Sequence, residues 1–396
     1  MTLRSVTESV RTGFWAVPAL CVLVAAALAF GLVALDREFD DALGGVSFGA
    51  GPDGAREVLS AIVTSMITFT GLVFSITIVV LQLTSSQFSP RVLRTFLRDR
   101  QTQLSLGVFI ATFVYAVLVL RTVNGLDEDT FVPALATSVG VLLLIVSVGV
   151  FVGYIHHIAT SIQVSSILQS IAGETRAVLE RELPAGGPPP PVVVRPAGTP
   201  VAVLPSPRSG VLVEVDTAAL VSVATDCDVV LVSEVHLGDF VPEGAPVLEV
   251  HRRDADALDA ARALRAFSFA RERTMRQDVA FGFRQLADIA ARALSPGVND
   301  PTTAVQALDG MHDLLRRLAT RHLPTGVHVD GDGRPRLYLP APCFADYVTL
   351  ALHEADQYGA DSMQVQERIT ALLTDLRAAA LPEHRPPLDA RLAKRS

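Results

Sequence analysis

One lysine, Lys394, stands among 33 basic residues; all the others are arginine. A codon bias across a whole genome produces that imbalance, so the arginine content carries no argument for phosphate or nucleic-acid binding. A formal net charge of −8 points the same way and excludes a nucleic-acid partner. Cysteine is scarce too. Cys21, Cys227 and Cys343 form no CxxC and no Cys/His cluster, which leaves reduced, structural thiols. No GxSxG, Walker A or GxGxxG segment occurs. His353-Glu354-x-Asp356 lacks the second histidine that a zinc-binding HExxH helix needs. Asp330-Gly-Asp332-Gly starts like a calcium loop but has no terminal glutamate. The expectation is therefore a protein that is not an enzyme, with no catalytic residue, cofactor or metal.

Apolar residues are abundant. Half of the 396 residues are hydrophobic, mean hydropathy is +0.40, and the excess sits in the first 155 residues. Four runs have the length and apolarity of spanning helices, at roughly 14–35, 58–83, 104–120 and 131–155. Arginine in short loops sets the orientation. The 84–103 loop carries Arg91, Arg94, Arg98 and Arg100 against Asp99, whereas the 36–57 loop has two arginines and six acids. The 84–103 loop is thus expected in the cytoplasm, with both termini inside, in a multi-pass protein of the bacterial inner membrane. The uncharged run from Thr12 to Leu35 exceeds a usual signal-peptide core, which favours an uncleaved first span.

Four segments follow from these shifts: a transmembrane domain (1–155), a helical extension with a proline-rich linker (156–200), a β-rich module (201–253) and a mostly helical domain (254–396). Pro188–Pro191 cannot be helical. The module alternates VAVL, GVLVEV, DVVLVSEV and PVLEV, with a short helix between the second and third capped by Asp216 or Thr217. Its turn Gly238-Asp239-Phe240-Val241-Pro242-Glu243-Gly244 resembles the GDxVxxG hairpin of biotinyl- and lipoyl-carrier domains. The carrier lysine is absent, so the resemblance implies a small β-barrel-like fold alone. In 275–294, Val279, Phe283, Leu286, Ala290 and Ala293 mark a core stripe at helical spacing, with Arg284, Asp288 and Arg292 on a solvated row. GVHVDGDGRPRLYLP reads as a hairpin near 326–339. Two more helices, near 344–357 and 362–380, precede a polar tail.

The fold class expected is an α-helical integral membrane protein with four spans and an α+β cytoplasmic domain. Three stretches carry a family resemblance: residues 64–93, RQDVAFGFRQLADIA (276–290) and ARALSPGVNDPTTAVQALD (291–309). They resemble a bacterial family of predicted membrane proteins called domain of unknown function 2254, over almost the whole chain. The resemblance implies the architecture and no mechanism. In SPGVNDP, Ser295, Pro296, Asn299 and Asp300 suit a rigid helix–helix turn with local capping, and Pro301 suits a first helical position. The same four residues are the candidate cytoplasmic contact loop for a ligand, ion or second subunit.

The second span poses the sharpest question. Residues 64–89 read TSMITFTGLVFSITIVVLQLTSSQFS. Alternating steps of four and three visit Thr64, Thr68, Gly71, Ser75, Ile78, Gln82, Ser85 and Ser89, nearly all small or polar. Packing within one subunit would use such a stripe for close approach and interhelical hydrogen bonds. Its period is also that of a left-handed coiled coil, so it could equally meet symmetry mates. Gln82 needs a polar partner or water at membrane depth. The stripe runs on into Arg91, Arg94 and Arg98, a basic cytoplasmic mouth. The leading expectation is a homo-oligomeric ion channel with the second span lining the pore and the cytoplasmic domain gating it. The alternative is a membrane-anchored sensor or scaffold whose cytoplasmic domain binds a ligand or protein, without transport. His156-His157, where the fourth span ends, has two readings, a pH-sensing pair and an interfacial pair without function, of which the second is preferred.

Overall fold

The computed structural model describes residues 15–38, 51–87, 99–123, 131–161, 163–186, 195–196, 198–251 and 259–395, with side chains in 51–87 described to Gln82. The chain divides into two compact units, 1–163 and 164–396.

Four helices of the first unit are long and apolar enough to cross a membrane: α1 (Ala16–Glu38), α2 (Pro52–Gln87), α3 (Arg100–Leu120) and α4 (Ala134–Ser161). At a rise of 1.5 Å per residue, the 36 residues of α2 reach about 54 Å, well beyond a hydrocarbon core of about 30 Å. It begins six residues before the apolar run at 58, because Pro52 and Asp53 suit a first helical turn. The shortest span is the central one. In α3, 56% of the apolar window is buried, against 17–22% for the other three. Gly107 lets α1 come close, since a Cβ there would lie 2.9 Å from Cys21 Sγ and 3.2 Å from the Pro18 backbone.

The interior of this bundle is apolar with a few satisfied polar groups, as lipid demands. Thr112 and Ser147 hydroxyls pair at 3.0 Å, Tyr115 donates to the Ala136 carbonyl at 2.7 Å, and Thr77 meets Tyr154 at 2.8 Å. Asp36, counted above among the loop acids, is instead buried in the last turn of α1. Its carboxylate accepts from the backbone N–H groups of Leu135 and Ala136, at 3.1 and 3.0 Å, and so caps α4 from another helix.

The second unit opens with α5 (Val164–Glu182), whose Ile167, Leu168, Ile171, Val178 and Leu179 are buried. The strands are β1 (Ala202–Pro205), β2 (Gly210–Val215), β3 (Val230–Val232), β4 (Phe240–Val241), β5 (Pro246–His251), β6 (Phe267–Ala270), β7 (Val327–Val329) and β8 (Pro335–Tyr338). Helix α6 (Thr217–Asp226) is capped by Asp216, which accepts from Ala219 N, and α7 (Ala260–Arg265) precedes β6. They form a five-stranded sheet ordered β1-β5-β3-β8-β7 and a three-stranded sheet ordered β4-β2-β6. The two sheets share one apolar core, including Leu212, Leu231, Val250, Phe267 and Leu337.

Among the described residues the strands form these two sheets and no closed barrel, so the barrel-like expectation is not confirmed. The reason is non-local pairing. β3 takes β8 as a parallel neighbour from the distant hairpin, and β2 takes β6, a strand inside the stretch read as helical from 254 onward. Helices α8 (Val279–Ala293), α9 (Pro301–Ala319), α10 (Phe344–Tyr358), α11 (Met363–Ala379) and α12 (Arg385–Ala393) complete the unit. Val279, Phe283, Leu286, Ala290 and Ala293 are all buried. Gly282 marks where α8 meets α5, because a Cβ there would fall 1.9 Å from Thr175 Oγ1. The polar tail is a helix: α12 docks through Arg391 and Arg395 on Asp356.

Candidate functional site

Helix α2 carries two seams with the same period. Leu59, Ile62, Met66, Phe69, Val73, Ile76 and Val80 alternate steps of three and four, and this apolar seam packs inward; five of the seven are fully buried and the other two partly. Thr64, Thr68, Gly71, Ser75, Ile78 and Gln82 form the second seam, and every one is exposed. The polar stripe therefore makes none of the bundle's internal packing. A Cβ added at Gly71 would meet nothing within 4 Å.

The stripe's chemistry changes along the helix. Thr64 and Thr68 turn their hydroxyls back on their own helix, donating to the Ser60 and Thr64 carbonyls at 2.9 Å each. Such back-bonding satisfies a hydroxyl in an apolar surround. Gln82 has no such local solution, and its amide finds no partner among the described residues. Beside the stripe α2 exposes Ile67, Leu72, Phe74 and Val79, just as α1 exposes Leu20, Leu23, Val24 and Phe30, and α4 exposes Leu142, Ile145, Val146 and Val152. Those faces are what lipid tails favour. The Ser85 side chain, Ser89 and the basic mouth of Arg91, Arg94 and Arg98 lie outside the described residues.

At the far end of α2 from Asp36, the bundle carries a hydrogen-bonded histidine–aspartate pair that sequence reasoning missed. Asp99 is the N-cap of α3, accepting from Gln101 N at 3.2 Å, Thr102 N at 3.1 Å and Thr102 Oγ1 at 2.6 Å. His157 Nε2 lies 2.7 Å from its second oxygen. Burial opposes ionisation of Asp99, yet the Thr102 and His157 hydrogen bonds outweigh it and hold the carboxyl below its ordinary range. His157 is thus more than an interfacial histidine, whereas its neighbour His156 is simply exposed. An aspartate five positions before the apolar run that starts at Leu104, with Thr102 within capping reach, was the readable signal.

In the second unit, the SPGVNDP loop joins α8 to α9. Ser295 Oγ donates to the Arg292 carbonyl at 2.6 Å, Asn299 adopts φ 48°, and Asp300 N donates back to Ala293 O at 2.7 Å. Asp300 caps α9 through Thr303 N and Thr303 Oγ1. Pro296 and Asn299 are exposed at the tip, while Ser295 and Asp300 are half-buried and committed to the turn. Replacing Asp300 with Ala is expected to cost about 1 kcal/mol. The hydrogen bonds from Thr303 hold its carboxyl low, so this contribution is full above the unfolded value of about 3.9. It disappears as the pH falls through the lower folded value. Thermal unfolding of the wild type and the variant across that range would check both the size and the sign.

Elsewhere in this unit, Arg284 pairs with Asp288 at 2.5 Å and also with Glu354, so these two members of the row read as solvated are half-buried, while Arg292 is exposed as expected. A groove of about 560 Å³ runs between α5 and α9, lined in part by Ser165, Gln169, Arg176, Gln306 and Asp313. Arg176 and Asp313 close against each other at 2.7 Å.

Comparison with known proteins places these features in context. A family model described as a predicted membrane protein, domain of unknown function 2254, matches residues 11–375. An uncharacterized protein of Mycobacterium bovis is 34% identical over 387 residues, covering 95% of this chain and 73% of the relative. An uncharacterized protein of Mycobacterium tuberculosis H37Rv matches with the same identity and coverage. No solved structure matches the chain.

Proposed function

The chain belongs to the family of predicted membrane proteins called domain of unknown function 2254, and we propose that it is an oligomeric channel of the bacterial inner membrane. In this reading α2 of each copy lines the pore, the C-terminal unit gates it, and the arginine-rich loop between α2 and α3 faces the cytoplasm. One observation carries the proposal: the polar seam of α2 points away from its own subunit. A polar face turned outward in a bilayer needs either a second copy or water. Around a symmetry axis it finds both. Gln82 is the strongest case, because a threonine can satisfy itself and an amide of that length needs an outside partner.

The test is ion flux through the full-length protein in liposomes. Thr68→Leu, Ser75→Leu and Gln82→Leu each keep helix propensity while making the seam apolar and bulkier, so each is expected to lose most of the flux. Unchanged flux in all three variants would leave the anchoring reading, in which the spans only hold a binding unit at the membrane. The α5–α9 groove is the feature that favours that second reading.

A further inference from the structure

The polar seam of α2 does not stop at Thr64. Continued backwards by steps of four and three, it reaches Ser60, Glu57 and Asp53, all of them exposed. From Glu57 to Gln82 the line runs about 38 Å at 1.5 Å per residue, longer than a hydrocarbon core of about 30 Å. Three side chains between Pro52 and Gln82 carry charge: Asp53, Arg56 and Glu57. They are sorted by sign. Arg56 is half-buried and donates to the Val123 carbonyl of its own subunit at 3.1 Å. The two carboxylates stay on the outward line, and neither has a hydrogen-bond or ion-pair partner among the described residues.

The hydroxyls next along the seam suit the same sign of ligand. Thr64 and Thr68 commit their protons to the Ser60 and Thr64 carbonyls, at 2.9 Å each. A hydroxyl whose single proton is committed offers only lone pairs to anything beyond its helix. Asp53 alone would carry little weight, because an acid in a first helical turn offsets the helix's partial positive charge. That effect fades beyond the first turn, and Glu57 lies in the second.

We infer that Glu57, with Asp53 one turn before it, makes the proposed pore select inorganic cations over anions. The inference rests on the channel reading, in which symmetry repeats each seam around one axis and turns Glu57 into a ring. Rings of Asp or Glu are a device by which pores favour cations. A passage lined by one sign of charge raises the local counter-ion concentration about tenfold or more. Between Glu57 and Gln82 no basic side chain opposes the ring. Where the ring ends, the back-bonded threonines continue the line as acceptors. The arginines of the 84–103 loop follow beyond Gln82, outside the described residues, and a pore governed by them would prefer anions.

The experiment reconstitutes the full-length chain in planar bilayers and reads the reversal potential under a potassium chloride gradient. Potassium is expected to permeate about tenfold better than chloride. Glu57→Gln should lower that ratio about threefold, half of the effect on a logarithmic scale, with Asp53 holding the rest. Adding Asp53→Asn should bring the ratio close to one. Glu57→Asp keeps the charge and should keep most of the preference, which separates charge from a structural role. The preference should also shrink at high salt, where the screening length falls to about 3 Å at 1 M. Arg56→Gln is the control, because that guanidinium is turned to the Val123 carbonyl and should leave the ratio unchanged. A chloride preference in the wild type, or a ratio that Glu57→Gln does not move, would overturn the inference and leave the channel standing. A shift with Arg56→Gln as large as that with Glu57→Gln would overturn it too, because total charge and not the seam would then set the ratio. No flux through the wild type removes the channel and its selectivity together.

Discussion

Replacing Asp36 by Ala is expected to be the most damaging single change in the membrane bundle, costing on the order of 3 kcal/mol. The carboxylate holds the first free N–H groups of α4, at Leu135 and Ala136, and it reaches them from α1 across roughly a hundred residues of chain. A helix start carries a partial positive charge and unpaired donors, so an anion there is stabilised twice. Alanine leaves a buried donor at Ala136 and a half-buried one at Leu135 without an acceptor, and removes the polar tie between α1 and α4. Asn at the same position keeps one oxygen and loses the charge, and roughly half the loss is expected. Thermal unfolding in detergent would give both values. Equal, small effects for the two variants would mean that water reaches α4's first turn and that the cap contributes little. The apolar cluster around Leu59 and Tyr115, with Arg37 over Phe131 at 5.4 Å, would then hold this end.

Asp36 also illustrates what was legible in the sequence. The four spans were plain, since uninterrupted apolar runs of that length have few other solutions. The loop acids were read as a group, and nothing local separates the one acid that turns back into the bundle from those that stay in water. The sheets failed for a related reason. The four strand-like runs of 201–251 are real, but the partners that decide their architecture come from Phe267–Ala270 and Pro335–Tyr338. A four-residue strand such as FSFA between helical stretches leaves almost no periodic signal. The helix α12 was read as a tail because RPPLDARLA has little apolar character. It is held by one buried side chain, Leu388, and by ion pairs from Arg391 and Arg395 to Asp356 and from Arg377 to Asp389. The Asp300 cap and the Pro301 start were legible in full, since capping is a local rule.

The stripe was visible as a pattern and ambiguous in direction, and a second prediction decides its use. Two seams of one period run along α2, so periodicity alone could not say which of them packs. Inward burial of Leu59, Ile62, Met66, Val73 and Val80 removes packing within the subunit as a use for Thr68, Ser75 and Gln82. Two uses remain: a lipid face with unusual polarity, or contact between copies. Single cysteines at 68, 75 and 82, in a chain lacking its three native thiols, separate them by oxidative cross-linking in membranes. At a symmetry axis the three sites face their own counterparts, so a disulfide-linked dimer should become the main species at each. A cysteine replacing Leu23 on the apolar face of α1, or Met66 on the buried seam, should stay monomeric. Disulfide geometry makes the comparison sharp, because the Cα atoms must come within about 7 Å. Cross-linking at 75 and 82 but not at 68 would describe α2 helices that converge at the Asp99 end and splay towards Asp36. That is the end where the amide of Gln82 needs a partner. Monomers at all three sites would assign the seam to lipid. The two threonines are already self-satisfied for that role, and the search for function would then move to the α5–α9 groove.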